Sequence, residues 1–464
     1  MSNTYDFGLV GLGVMGRNFI LNVADNGFSA MGLDLDPEKV NSLKEEGEGR
    51  VVDATQDKIE FLNRLSSPRK IMLLVPAGKP VDAVINDLLP HLDQGDILID
   101  GGNSFFPDTE RRFKELDEKG IHFFGTGVSG GAEGARFGPS MMVGGNADYY
   151  EHVRPIFEAV SAKVNGEPCV ARVGNGSSGH YVKMVHNGIE YALMQLIAEA
   201  YDMMKYGLGM SNEEISAQFE EWNQGRLQSF LIEITAKIFT KKDDLTGKDL
   251  IDVISDKAKQ KGTGKWISQN AMDIGIPIPA IDASVSMRAI SSFKAERVKA
   301  MELYPISQSD PEMITVEELE EAIYFGFVIT FAQGMKQLAE ASEKYGYGLD
   351  LENIAKIWRG GCIIRAKLLE TIAMAYGEDK ALDHLLFHER IVDEIKNLWG
   401  SVNKVVDIAM NAGISVAGLS ASANYFNAFR SERLPLNLIQ AQRDFFGSHT
   451  YERTDREGSF HTEW

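Results

Sequence analysis

The stretch Gly11-Leu12-Gly13-Val14-Met15-Gly16 decides how the chain is read. It stands between a short apolar run at residues 5–10, which reads as a strand, and a helical run at residues 18–26. A G-x-G-x-x-G in that setting makes a strand-to-helix turn. Its glycines allow the tight turn and close backbone approach, and the helix start turns free amides and a positive dipole end toward a pyrophosphate. The motif alone says little. A second strand at residues 29–33 gives it weight, because it ends in Asp34, where a carboxylate reaches the ribose of a bound dinucleotide.

Further strand-like runs at residues 71–75, 97–100, 121–124 and 141–143 alternate with helical or glycine-rich segments, the pattern of a doubly wound parallel sheet. Ligands of such sheets sit at the carboxyl ends of the strands. There the sequence has Pro76-Ala77-Gly78 after Val75, Gly101-Gly102-Asn103-Ser104, and Gly127-Val128-Ser129-Gly130-Gly131. These loops are expected to line a cleft, although glycines also serve plain turns, and Asn103 and Ser129 also suit backbone caps.

From residue 179 the pattern is almost wholly helical. Residues 179–200 place Val182, Val185, Ile189, Leu193 and Leu196 on one helical stripe and Lys183, His186, Asn187, Glu190 and Tyr191 on another. A solvated face is usually rich in repeated Glu and Lys. This one carries single copies of an amine, an imidazole, an amide, a carboxylate and a phenol, as a site that takes and gives protons requires. A weak internal repeat follows: Ala198-Glu199-Ala200, Lys205-Tyr206-Gly207 and Trp222-x-x-Gly225-x-Leu227 recur in order as Ala339-Glu340-Ala341, Lys344-Tyr345-Gly346 and Trp358-x-x-Gly361-x-Ile363. The second copy aligns Tyr324 and Phe331 with Lys183 and Glu190, so only the first carries the polar stripe. Lys261 beside a Gly-Thr-Gly turn, Arg288 in a small-residue helix and Arg443 are basic groups in unusual settings, and the turn's amides suit phosphate oxygens. The segment after Pro435, with Phe445, Phe446, Tyr451, Phe460 and Trp464, is too aromatic for a disordered end and is expected to pack against something.

The chain's 464 residues, 44% of them hydrophobic, suffice for two or three cores. A net charge of −20 argues against nucleic acid as a partner and requires a locally basic pocket for any anionic ligand. The two cysteines, Cys169 and Cys362, imply neither a disulfide framework nor a zinc site. The start lacks the charged and apolar regions of a signal peptide, and nowhere do 18 apolar residues run together. A cytoplasmic protein without a membrane partner is expected.

Taken together, GLGVMG, ILIDGGNS, GVSGGAEGARFGPS, VKMVHNGIEY, EEWNQG, QKGTGKW, WRGGCIIR and LIQAQRDFFGSHTYE make the chain resemble, over essentially its full length, the decarboxylating 6-phosphogluconate dehydrogenases. The resemblance implies a Rossmann-like domain over residues 1–178, an all-helical, internally duplicated substrate and dimerisation domain over 179–434, and a tail over 435–464 that reaches the other subunit of a homodimer. It implies metal-independent oxidative decarboxylation of 6-phosphogluconate, with Lys183 as base, Glu190 as the acid that protonates C1, and Asn187 beside them. Asn103, Ser129, Gly130, Gly131, His186 and Asn187 would surround the sugar acid. Tyr191, Lys261, Arg288, Arg443 and His449 would surround its phosphate. Gly11 to Gly16, Asp34-Leu35-Asp36, Val75, Pro76, Ala77 and Asn103 would hold the cofactor. NADP-using members end the second strand in an Asn-Arg-Thr-like triplet; here Asp34-Leu35-Asp36 points to NAD. NADP is the alternative, with Asp36 merely capping a helix and Lys39 reaching a 2′-phosphate. Two other readings are a non-decarboxylating β-hydroxyacid dehydrogenase, which should lack Glu190 and the phosphate clamp, and a non-catalytic NAD(P)-binding protein, which should show damage at Lys183 or Glu190.

Overall fold

Short apolar runs bounded by turn residues build the sheet: β1 (Phe7–Val10), β2 (Ala30–Leu33), β3 (Val52–Thr55), β4 (Lys70–Leu73), β5 (Ile97–Asp100), β6 (His122–Ser129), β7 (Ser140–Gly144) and an edge strand, Val170–Gly174. The structure, a computed structural model, describes residues 4–259, 262–305 and 314–464. Across the sheet the order is the edge strand, β7, β6, β5, β4, β1, β2, β3. The chain runs β1, β2, β3 outward and then restarts with β4 on the other side of β1, so the strand order reverses where the glycine loop leaves β1.

The parallel sheet expected from the alternation holds through β6. β7 instead runs antiparallel to β6, with Ser129 opposite Ser140, and the edge strand runs parallel to β7. The link from Ser129 to Ser140 holds only the short helix Gly131–Phe137, too little for the dozen or more residues a parallel crossover needs. Two strands of this eight-stranded sheet escaped the sequence reading. β3, VDAT, is a half-polar edge strand, and Val170–Gly174 carries an arginine.

Helix Ser178–Asp202 begins against β6 and β7 and then packs along a second long helix, Val316–Tyr345. The second helix opens with a capping box: Glu318 N donates to Thr315 Oγ1 at 3.1 Å, and Thr315 N donates to Glu318 Oε2 at 2.8 Å. Each long helix is followed by a shorter one ending at a buried tryptophan, Trp222 after Asn212–Trp222 and Trp358 after Leu351–Ile357. Just beyond, the two copies meet in an antiparallel bridge between Ser229 and Ala366. Phe230 N donates to Arg365 O at 3.0 Å and Lys367 N to Gln228 O at 2.9 Å. Corresponding segments thus pair with each other, as about a local twofold axis. Met142, Ala171 and Val173 of the sheet lie in the same apolar cluster as the helices, so sheet and helices share a core.

The tail forms a helix, Leu436–Gly447, and a two-strand hairpin, Tyr451–Glu452 with Ser459–Phe460. Its large apolar residues face outward: Leu438 is 61%, Phe445 68% and Phe446 73% exposed. Among the described residues no helix is long and apolar enough to cross a membrane.

Candidate active site

Glycines bring the polar helix onto the sheet. A Cβ at Gly127 in β6 would lie 2.4 Å from Lys183 Cβ, and one at Gly179 would lie 2.1 Å from Gly125 O. Only bare backbone on both sides lets the helix start sit on the carboxyl half of β6, which carries Lys183 to the end of the strand where Ser129 stands. Helix Ser178–Asp202 is therefore not the two-faced element its pattern suggests. Lys183, His186, Asn187 and Tyr191 are as buried as the apolar stripe.

Ser129, Lys183, His186, Asn187 and Glu190 form one cluster. His186 is fully buried, with Nε2 3.2 Å from Ser129 Oγ and Nδ1 3.2 Å from Asn187 Oδ1 and 3.3 Å from Lys183 Nζ. Glu190 Oε2 lies 3.9 Å from the same Nδ1. Burial lowers the pKa of Lys183 against the pull of Glu190, and burial followed by the charge of Lys183 drives that of His186 well below its ordinary value. Burial raises the pKa of Glu190, opposed by Lys183 and Arg288. Burial thus pushes the amine, the imidazole and the carboxyl each toward its neutral form, while the Lys183–Glu190 attraction opposes that shift in both partners. A neutral imidazole either donates from Nδ1 to Asn187 Oδ1 or accepts there from Lys183 Nζ.

The second copy walls this cluster, which the sequence reading did not foresee. The ring of Trp358 meets His186 edge-on with centroids 5.8 Å apart. Buried Cys362 donates from Sγ to Trp358 O at 3.0 Å, and burial pushes its thiol up to about 12, so it is inert. Ser140 N donates to Gly361 O at 2.8 Å, which fastens the tryptophan loop to β7. The repeat itself was the signal: its tryptophan and glycine mark where the copies meet.

One turn along the polar helix, the Arg288 guanidinium lies 3.6 Å from the ring centroid of Tyr191, and Arg288 Nη1 donates to Lys259 O at 3.2 Å. This half-buried cation faces Glu190 as well. Lys261 lies outside the described residues. Asn103 is exposed on the loop after β5, which Asp100 fastens from below by accepting from Gly102 N at 3.0 Å and Ser104 Oγ at 2.6 Å. Gly130 and Gly131 both take positive φ, 107° and 64°, at the start of helix Gly131–Phe137. Arg443 and His449 are exposed on the tail and are not brought to the cluster within this chain.

At the carboxyl end of β1, Gly11 has φ 97°, and a Cβ at Gly16 would lie 1.9 Å from Gly11 O, so the turn tolerates neither side chain. A Cβ at Gly13 would meet nothing within 4 Å, leaving the start of helix Val14–Asp25 open to a phosphate. Val75 Cγ1 borders Gly11, and Pro76 and Ala77 are exposed beside it. Asp34 accepts from Leu12 N at 2.7 Å and from Asp36 N at 3.0 Å. Leu35 is 87% exposed. Asp36 caps helix Pro37–Glu46 by accepting from Glu38 N, and Lys39 Nζ stands 3.6 Å from Asp34 and 3.7 Å from Asp36.

A family pattern for the NAD binding domain of 6-phosphogluconate dehydrogenase matches residues 6–174, and one for the 6-phosphogluconate dehydrogenase C-terminal domain matches residues 179–464. The chain belongs to the 6-phosphogluconate dehydrogenase family. Among its relatives is the NADP(+)-dependent, decarboxylating 6-phosphogluconate dehydrogenase of Bacillus subtilis, 50% identical over 463 residues and 98% of each chain. The decarboxylating 6-phosphogluconate dehydrogenase 1 of Saccharomyces cerevisiae is 47% identical over 452 residues, 96% of this chain and 92% of the yeast enzyme. Among solved structures, 6-phosphogluconate dehydrogenase of Plasmodium falciparum, studied in apo form and in complex with NADP+ and with 6-phosphogluconate, superposes with a TM-score of 0.96 at 45% identity over 99% of this chain and 100% of that one. Membership makes the chain an oxidoreductase with the two-part architecture of this family.

Proposed function

We propose that the chain oxidatively decarboxylates 6-phospho-D-gluconate to D-ribulose 5-phosphate and CO2, a step of the pentose phosphate pathway, with NAD as its preferred oxidant. The observation that carries this reading is the pairing on one helix of a buried lysine held toward its neutral form with a carboxyl held toward its protonated form. Neutral Lys183 takes the proton of the 3-hydroxyl as hydride leaves C3. The nicotinamide, when bound, accepts that hydride. Its dinucleotide would lie along Gly11 to Gly16, Asp34, Val75, Pro76, Ala77 and Asn103. The 3-keto acid loses CO2 as the C1–C2 bond breaks toward the C3 carbonyl, and the Lys183 ammonium returns its proton to that oxygen. Glu190 then protonates the enediol carbon that becomes C1 of the product while neutral Lys183 takes back the proton of the enol oxygen, restoring the carbonyl. His186 and Asn187 hold the lysine in line, and Ser129, Gly130 and Gly131 hold the sugar acid. Tyr191 and Arg288 bind the phosphate, a role the family resemblance also gives Lys261, and Arg443 and His449 of the partner subunit complete that site in a homodimer. The exposed apolar face of the tail supports the last point.

For the cofactor, the Asp34 carboxylate at the end of β2 suits ribose hydroxyls, and the following triplet offers no arginine to a 2′-phosphate. Juxtaposed like charges cost several kcal/mol, so NAD should be favoured by about a hundredfold. A second reading, NADP, is favoured by Lys39, which bridges both carboxylates, and by the name of the Bacillus subtilis relative. Measuring kcat/KM with 6-phosphogluconate and each cofactor, while CO2 is trapped, tests both. The expected result is an NAD preference that Asp34→Asn/Leu35→Arg/Asp36→Thr moves toward NADP. A wild type that prefers NADP, or a triple variant without a shift, overturns the cofactor proposal, and cofactor reduction without CO2 overturns the reaction.

A further inference from the structure

One fully buried carboxylate has no part in the chemistry above. Asp444 is the single buried residue of helix Leu436–Gly447, and it gathers four donors. Its Oδ1 accepts from Thr450 N and His461 Nδ1, each at 2.9 Å, and its Oδ2 accepts from Thr462 N and Trp464 Nε1, each at 3.0 Å. These donors come from the turn after the helix and from the segment beyond the hairpin, so one side chain ties three pieces of the tail together. The turn is strained: Ser448 and Thr450, on either side of His449, take φ of 49° and 61°, a region that residues with a Cβ avoid. The bond from Thr450 N to Asp444 holds it. Arg443, the residue before Asp444, and His449 are both exposed on this folded unit. Although burial would raise the Asp444 pKa, the bonds from His461, Thr462, Trp464 and Thr450 hold it at about 2, so the hub stays charged throughout the neutral range.

We propose that Asp444 is a positioning residue that presets Arg443 and His449 as one rigid phosphate-binding pair. The substrate phosphate then meets a preformed site instead of a segment that must order on binding. This rests on the reading that the tail supplies phosphate ligands to a second copy of the chain.

The test uses the full chain with Asp444→Asn, which keeps the volume but offers one acceptor oxygen where two are needed, together with Trp464→Phe and Arg443→Ala. For Asp444→Asn the expected result is a KM for 6-phosphogluconate raised about tenfold, with kcat changed by less than about threefold, the pattern of lost uniform binding. Trp464→Phe, which removes one donor of four, should raise KM by about threefold. The KM for cofactor, the sedimentation behaviour, and kcat/KM for gluconate, which lacks the phosphate, should stay at wild-type values. If Arg443→Ala raises KM and Asp444→Asn does not, the positioning role falls and the tail's phosphate role stands. If neither raises KM, the phosphate role itself falls. A loss in Asp444→Asn that is equal on gluconate, or an altered assembly, would make Asp444 a general structural element and also overturn the proposal.

Discussion

Helix Ser178–Asp202 and helix Val316–Tyr345 hold corresponding places in the two copies, lie against each other and are both buried nearly all round. Where the first has Lys183, His186, Asn187, Glu190 and Tyr191, the second has Tyr324, Phe327, Val328, Phe331 and Ala332. Apart from Tyr324, whose hydroxyl donates to Glu394 Oε2 at 2.8 Å, the second fills its stripe with apolar side chains, of which Phe327, Val328 and Phe331 are each worth about 1.5–3 kcal/mol on full burial. The first spends that place on ionisable groups, whose burial is tolerated because their pKa values move toward the neutral forms. One scaffold therefore serves two ends: the second helix stabilises the fold, and the first exchanges stability for reactive protonation states.

The comparison breaks hardest if the stripes are exchanged. Phe331→Glu puts an unpaired carboxylate into a dry core and should cost about 3–5 kcal/mol in urea unfolding. Glu190→Leu should be neutral or stabilising while turnover is lost. A cost below about 1 kcal/mol for Phe331→Glu would show that the second helix is not the dry member of the pair.

A smaller effect sharpens the role of Glu190. The acid limb of kcat/KM against pH should report Lys183, active once deprotonated, and the alkaline limb Glu190, active while protonated. Glu190→Gln should lower kcat about 10–100-fold and abolish the alkaline limb. With Glu190 uncharged across the acid limb, that limb should stay in place in the variant. An unchanged profile would separate the two groups.

The smallest effect concerns Glu199 and its counterpart Glu340. Glu340 is ion-paired with Lys336 at 2.6 Å near the surface, whereas Glu199 is buried and caps helix Ala417–Phe429, accepting from Gly418 N at 2.7 Å and Leu419 N at 2.9 Å. Burial, against those bonds, raises its pKa from 4.5 to about 7. The folded state thus holds this proton more tightly than the unfolded chain, and the stability it contributes declines as pH rises from 4.5 through 7. Glu199→Gln should flatten that part of the Tm profile, and Glu340→Gln should not.

The glycine loop and Asp34 were legible because their motif needs a fixed local setting, and strand, turn and helix are local. The polar stripe was legible because helical spacing alone aligns Lys183, His186 and Glu190. The burial of that stripe was not, since periodicity shows that two faces differ and not that both are covered; the close approach at Gly127, the tryptophan loop of the second copy and the contact of Gly264 with Tyr191 cover it. The reversal at β7 depended on the length of one link, and the hub at Asp444 on bonds between residues far apart in an irregular segment.

The claim that the first helix alone carries the chemistry is tested most directly by counting reduced nicotinamide and CO2 from 6-phosphogluconate in the wild type, Lys183→Met and Tyr324→Phe. The wild type should yield the two in equal amounts. Lys183→Met should lose both by about 10²–10⁴-fold with cofactor binding unchanged, and Tyr324→Phe, altered at the corresponding position of the second copy, should keep both. Full turnover in Lys183→Met, or its loss in a folded Tyr324→Phe, would contradict the account.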